Sequence, residues 1–283
     1  MKSVKFLALL ALAACIFLLP ACTQSNAQTP DRLASIKARG YLEVVMEPYF
    51  APNQFIDPTK PKDQQVVGAD VELSQYIAQK LGVACRIIPL EFSAVLAGVT
   101  EGKYDMAISS LAYTPARAQA MSLSQGYYFS QNNRGHGLII REELKDAVTG
   151  PSDVAGRTVV AQSGSLQELF VTEQLEGYSA FKRVSSTSDM FLSVQEGKAE
   201  VGVTSIPTAE LFINANPGCG LYIVEGFTFF QDENTLGTRI GMPPEEEALL
   251  AEVNAIIDEV LKSGIYEQWY AQYTEYAKTL GVD

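Results

Sequence analysis

Residues 105–117 read DMAISSLAYTPAR. Met106 to Ser110 alternates apolar and small residues, which predicts a buried strand ending at Ser109-Ser110. Thr114-Pro115 then opens a helix: threonine is a good N-cap, and proline at the first helical position loses no donor the helix needs. Arg117 therefore falls in the first turn, where a cation opposes the positive end of the helix dipole. That placement is explained if an anion binds there, because free N–H groups and a guanidinium fork both suit a carboxylate. The plainer explanation is a pairing of Arg117 with a surface Asp or Glu. Convergence of strand end, tight loop and helix start on one spot favours the anion site.

Moving outward from this stretch, an internal repeat appears. Val99 to Ser110 is VTEGKYDMAISS and Val194 to Ser205 is VQEGKAEVGVTS. They share Val, Glu, Gly, Lys and the final Ser, with an acid (Asp105, Glu200) at the seventh place. Each follows a strand and an amphipathic helix: Arg86–Leu90 with the Phe92, Val95, Leu96, Val99 face, then Phe181–Val184 with Asp189–Gln195. The same strand–helix–strand unit twice predicts two similar α/β lobes rather than one large sheet.

The remaining elements fit that scheme. Tyr41 to Met46 reads as a strand running into the rigid aromatic loop Glu47-Pro48-Tyr49-Phe50-Ala51-Pro52. Asp70 is expected to cap a helix with its apolar face at Val71, Leu73, Ile77 and Leu81, stopped by Gly82. Residues 57–65 look like an exposed polar insertion. In the second lobe Thr158 to Ala161 is a strand, and Ser165-Leu166-Gln167-Glu168 is a capping box. That helix start is also a second cradle of N–H groups at the carboxyl end of a strand, where open α/β sheets bind ligands. A long helix from Pro243 to Lys262 and a following one with Ile265, Trp269 and Tyr273 are expected to pack on the first lobe.

Length and composition narrow the function. The 283 residues suggest about two domains, and the formal charge of −12 disfavours nucleic acid or an anionic membrane surface as partner. Lys2 and Lys5 followed by an apolar run from Phe6 to Leu19 read as a targeting segment, too short for a comfortable membrane span. The segment ends at Cys22, ahead of the polar TQSNAQTPD, in the manner of a bacterial lipoprotein signal. Leu12-Ala13-Ala14-Cys15 is the alternative, disfavoured because apolar IFLLP follows it. The expected organisation is signal 1–22 with Cys22 lipidated, then a tether over 23–31. Cys85 and Cys219 have no Cys or His at metal-ligand spacing and read as free thiols, so neither metal nor cofactor is expected.

With GADVELSQYIAQKLG (68–82), EGKYDMAISSLAYTPARA (101–118), SQGYYFS (124–130), VVAQSGSLQELF (159–170) and EVNAIIDEVLKSGIYEQWY (252–270) in place, the chain resembles the bacterial solute-binding proteins of family 3. These are amino-acid receptors of ABC importers. The resemblance spans roughly residues 32–275 and rests on the ordered set of motifs. It implies the periplasmic-binding-protein-like type II fold: two α/β lobes joined by two crossover strands, with the ligand cleft between. Lobe one would be 32–131 plus 236–283, and lobe two 132–235. It further implies that Arg117 clamps the ligand α-carboxylate and that Ser110 and Ala112 hold it, Ala112 through its N–H alone. Glu47 falls where an acid often meets the α-ammonium, and Phe50, beside Tyr49, where a ring covers the side chain. Gln162, Ser165 and Leu166 match the lobe-two loop that closes on ligand.

At Ser205, preceded by Thr204, the family usually has an aspartate for the ammonium. Serine brings no charge, so the ammonium rests on Glu47 and an aromatic face, or the ligand is not a standard α-amino acid. The implied protein is a monomeric, lipid-anchored, extracytoplasmic receptor for a small, polar amino acid that delivers to an ABC permease. A receptor for another small carboxylate and a dehydratase-like enzyme are the alternatives. No catalytic residue is assigned, because Glu47 is the one cleft acid that can be named, and His136 between glycines reads as structural. A sensor domain is disfavoured by the lack of any kinase or channel segment.

Overall fold

The computed structural model describes residues 31–129, 134–233 and 236–280. The segment read as a targeting signal, both candidate lipidation cysteines and the expected tether as far as Pro30 lie outside the described residues. Asp31 accepts a bond from the Ala34 N–H, which caps helix α1 (Arg32–Arg39).

The first lobe continues with strand β1 (Tyr41–Met46), a small antiparallel sheet of β2 (Tyr49–Phe50), β3 (Gln54–Ile56) and β4 (Val66–Val67), helix α2 (Ala69–Leu81), β5 (Ala84–Pro89), α3 (Phe92–Thr100), β6 (Met106–Ala112), α4 (Pro115–Ala120) and β7 (Ser122–Leu123). The second lobe holds β8 (His136–Arg141), β9 (Thr158–Gln162), α5 (Leu166–Gln174), β10 (Ala180–Val184), α6 (Thr187–Gln195), β11 (Val201–Ser205), α7 (Ile206–Ala215) and β12 (Leu221–Ile223). The chain then returns to lobe one through β13 (Thr238–Met242) and ends in α8 (Glu247–Ser263) and α9 (Ile265–Leu280).

The sheets have matching topologies. Lobe one is ordered β5-β1-β6-β13-β7 and lobe two β10-β9-β11-β8-β12. In each, three strands run parallel, and the fourth, antiparallel strand is the one by which the chain enters after crossing: β13 against β6, and β8 against β11. Between the lobes, Tyr128 and Thr238 form an antiparallel bridge, so the two connections run side by side.

The sequence repeat corresponds to α3–β6 and α6–β11, and its acids do the same work in both lobes. Asp105 takes the Glu43 N–H at 2.8 Å and returns its own N–H to the Glu43 carbonyl. Glu200 takes the Thr158 N–H at 3.0 Å and returns its N–H to the Thr158 carbonyl. Arg32 and Arg39 neutralise Asp105, and Arg157 neutralises Glu200. The glycine of each repeat turns with φ +70°, a left-handed conformation that disfavours any side chain.

Apolar packing follows the lobes. Leu42, Val44 and Met46 of β1 meet Leu73 and Ile77 of α2 and Val253 and Ile257 of α8. In lobe two, Leu138, Val159 and Val203 pack on Phe170 and Val171 from one sheet face, and Ile139 and Val160 on Met190 and Phe191 from the other. Cys85 and Cys219 lie in different lobes, both as free thiols.

Four local expectations are corrected. Strand β6 does not stop at Ser110 but runs to Ala112, because β13 supplies a partner for Leu111 and Ala112. Asp70 is not a cap: the N-cap is Gly68, and the Asp70 carboxylate is buried in the protein. The penultimate helix starts at Glu247 rather than Pro243. Helix α9 packs on lobe one through Tyr266 and Trp269, but Ala277 and Tyr273 also meet Leu211 of lobe two.

Candidate functional site

The carboxyl ends of both sheets face a cavity of about 240 Å³ between the lobes. Glu47, Phe50, Ser110, Ala112 and Arg117 line it from lobe one, and Gln162, Ser165, Leu166 and Ser205 from lobe two. Tyr49 lies outside the cavity, in a shallow interlobe groove with Phe191 and Leu211. Thr204 is buried inside β11 opposite Gly137 of β8.

Arg117 is 7 % exposed. Thr114 accepts its backbone N–H, as the capping pattern predicts, but α4 spans only six residues, so the guanidinium, not the helix, supplies the positive charge. Nη1 donates to the Ala112 carbonyl at 2.8 Å and Nη2 to the Gly164 carbonyl at 2.9 Å. The group lies 5.4 Å over the Phe92 ring. Burial lowers its pKa to about 10, which leaves it charged at neutral pH. Among the described residues no carboxylate pairs with it, so the surface-pair reading fails. Two carbonyls use two of its five N–H donors, and the remaining ones can take a carboxylate.

Glu47 is its counterpart. The loop after β1 buries it to 1 % exposure, and Oε1 has no hydrogen-bond partner. Burial raises its pKa to about 7, against the opposing pull of the Tyr49 and Thr187 N–H groups and the Gln162 amide, with Asp189 raising it slightly further. A buried carboxylate with an orphan oxygen is costly unless a donor arrives. An ammonium in the cavity would supply one.

Ser110 adopts φ +51°, a left-handed conformation uncommon for serine. Asp70 holds it there: Oδ2 accepts the Ser110 N–H at 2.9 Å, while Oδ1 accepts the hydroxyls of Tyr127 at 2.8 Å and Tyr266 at 2.6 Å. Asn53 donates to the Tyr266 oxygen at 3.0 Å. Burial raises the Asp70 pKa to about 6 despite these bonds. Ser109 accepts the Glu47 N–H at 3.1 Å, which ties the acid loop to the same strand.

On the other lobe, Ser165 caps α5 through the Glu168 N–H and donates to the Gln162 carbonyl at 2.7 Å. Glu168 reaches back to Gly164, one residue earlier than a capping box requires. Gln162 donates to the Ser185 carbonyl at 3.1 Å. Ser205 is the N-cap of α7, and its side chain makes no capping bond. His136, read as structural, lines the cavity with Nδ1 3.1 Å from the Gln167 amide nitrogen and its ring on Phe170; burial lowers its pKa to about 4, so it is neutral.

Sequence reasoning missed Asp70, Tyr128 and Tyr270 as parts of the site. The two tyrosines stack at 4.7 Å along one wall. The signal for Tyr128 was present in the quoted SQGYYFS, but nothing in its spacing tells which tyrosine faces the cleft.

An arginine without a carboxylate partner among the described residues and an acid with an orphaned oxygen thus face one cavity between the two lobes, opposite charges that suit a small zwitterion. The profile of the bacterial extracellular solute-binding proteins, family 3, matches residues 42–276. The chain belongs to that family. It is similar to the probable ABC transporter arginine-binding protein ArtJ of Chlamydia trachomatis, 24 % identical over 216 residues, which are 76 % of this chain and 79 % of that protein. It is also similar to the cyclohexadienyl dehydratase of Pseudomonas aeruginosa, 21 % identical over 264 residues, or 93 % of this chain and 92 % of that one. Among solved structures it resembles the amino acid ABC transporter substrate-binding protein AbpA from Streptococcus pneumoniae bound to L-arginine, at TM-score 0.76 and 26 % identity, covering 86 % of this chain and 98 % of that chain. Type II receptor architecture, with its two mixed sheets, is thereby common to this chain and its relatives.

Proposed function

We propose that this chain is the extracytoplasmic receptor of an ABC importer, binding an amino acid in the interlobe cleft and delivering it to a permease as a monomer. The observation that carries this reading is Arg117: buried, charged and without a carboxylate partner among the described residues, it faces the same cavity as the orphaned Glu47 oxygen. The ligand carboxylate lies on the guanidinium, backed by Ser110 and the Ala112 backbone. The α-ammonium lies on Glu47. Gln162, Ser165, Leu166 and Ser205 close over the ligand when lobe two, residues 132–235, swings toward lobe one (32–131 with 236–283) about the paired connections.

Among the described residues no helix is long and apolar enough to cross a membrane. Lipidation of Cys22 after removal of the targeting segment anchors the protein in this reading. A Cys22→Ala variant is then released from membranes, and retention of that variant would point to Cys15 or an uncleaved signal.

Calorimetry of the purified protein against the amino acids, with the mixtures assayed for products, tests the reading. Saturable binding without turnover supports it. Turnover would place the chain with the dehydratase-like enzymes, and binding of carboxylates that lack an amine would remove the ammonium site.

A further inference from the structure

Binding a zwitterion uses one anion and one cation of the protein. The described cavity lining holds one carboxylate, Glu47, and two cations, Arg117 and Arg134. Three acids nearby in the fold are already committed, and Asp232 and Glu233, next to the lining residue Gln231, are exposed and do not line the cavity. Both Asp70 oxygens accept bonds from Tyr127, Tyr266 and Ser110 behind β6. Asp189 accepts from the hydroxyls of Ser185 and Ser186 at 2.8 Å each, and Glu210 pairs with Arg134 at the cleft edge. The stretches 130–133 and 234–235, which adjoin the lining residues, are SQNN and NT and contain no Asp or Glu.

Resting on the amino-acid reading above, we infer that this receptor selects an amino acid with an uncharged side chain and discriminates against arginine and lysine. Charge balance carries the inference. Whichever cation of a dibasic ligand Glu47 takes, no second carboxylate among the described lining residues meets the other. The aromatic faces of the lining, Phe50 and Phe129 among them, offer a cation–π contact but no counter-charge. An uncharged side chain meets hydrogen-bonding groups of suitable kind, including Thr238 and the Gln167 amide, and the apolar surface of Phe129 and Leu236. The position at which a second acid would restore balance is Ser205.

The test is titration calorimetry at pH 8 on the purified, ligand-free protein with glutamine, serine, alanine and phenylalanine on one side and arginine, lysine and ornithine on the other. At least one uncharged amino acid is expected to bind 100-fold or more tighter than every dibasic one. Arginine or lysine binding as tightly as the best uncharged ligand would overturn the inference and leave the amino-acid reading standing. Failure of all of them to bind would overturn both. In Ser205→Asp, a substitution that a helix N-cap accepts, arginine affinity is expected to rise at least tenfold relative to the uncharged ligand. An unchanged ratio in a folded variant would also count against the inference.

Discussion

Arg117 of lobe one donates from Nη2 to the Gly164 carbonyl of lobe two at 2.9 Å, across the cleft. One guanidinium therefore serves two purposes: it presents donors to the cavity, and it fastens the turn that precedes α5. Gly164 keeps φ +74° in that turn, so its carbonyl direction is set by a conformation that favours glycine.

Arg117→Lys tests the clamp. Lysine keeps the charge but cannot reach the Ala112 carbonyl, the Gly164 carbonyl and a ligand carboxylate in one plane. Ligand affinity is expected to fall by about 100-fold or more, roughly 3 kcal/mol, because a buried charged bond is lost. The ligand-free variant should still unfold cooperatively, at a somewhat lower temperature because the bonds to the Ala112 and Gly164 carbonyls are weakened. Near-normal affinity by calorimetry would show that the carboxylate binds elsewhere.

The same bond implies that lobe separation breaks contacts that ligand helps to hold. Thr208 of α7 also donates to the Ala51 carbonyl at 3.3 Å. Solution X-ray scattering of ligand-free and saturated protein should show a smaller radius of gyration with ligand. Equal radii, with binding confirmed separately, would mean that the receptor is closed before ligand arrives.

Much of the fold was legible because its determinants are local. The glycines at 102 and 197 and the acids at 105 and 200 announce themselves by position within the repeat, and each acid bonds the strand beside it. Thr114 and Ser165 each accept an N–H three residues on, and Pro115 occupies a first-turn position whose N–H the helix does not need. What stayed hidden is non-local. Asp70 looks like a cap because helix starts favour that residue type. Its partners lie 57 residues away at Tyr127 and 196 away at Tyr266, and burial among them decides its role. The extension of β6 to Ala112 is likewise set by Thr238, on a strand that returns only after the whole second lobe.

Asp70 gives a stability prediction. Asp70→Ala leaves two tyrosine hydroxyls and the Ser110 N–H without their acceptor, at a cost of about 3–5 kcal/mol. Asp70→Asn keeps the shape and should cost less. The pH dependence is opposite to that of a surface ion pair. A carboxyl raised from 3.8 to about 6 stabilises the fold fully below pH 3.8, and that stability is lost as pH rises through about 6. The loss attributable to this group is up to about 3 kcal/mol. Urea denaturation at several pH values should show the wild type losing stability over that window relative to Asp70→Asn. Parallel curves for the two proteins would remove the titration from Asp70.

Glu47 links binding to protons. Ligand-free, its carboxyl has a pKa of about 7, raised from 4.5 chiefly by burial. The sign for folding is therefore as for Asp70: stability present below pH 4.5 declines as pH rises through about 7. For binding the sign reverses, because the ammonium pairs with the ionised form and lowers the pKa in the complex. Affinity should be flat above pH 7 and fall by up to about tenfold per unit below it, as one proton must leave Glu47 for each ligand bound. Calorimetry in buffers of different ionisation enthalpy at pH 6 should report a proton released on binding. In Glu47→Gln that release should vanish, the affinity should become flat over this range, and binding at pH 8 should weaken by about 2–5 kcal/mol. An unchanged pH profile in Glu47→Gln would assign the proton to another group and move the ammonium away from Glu47.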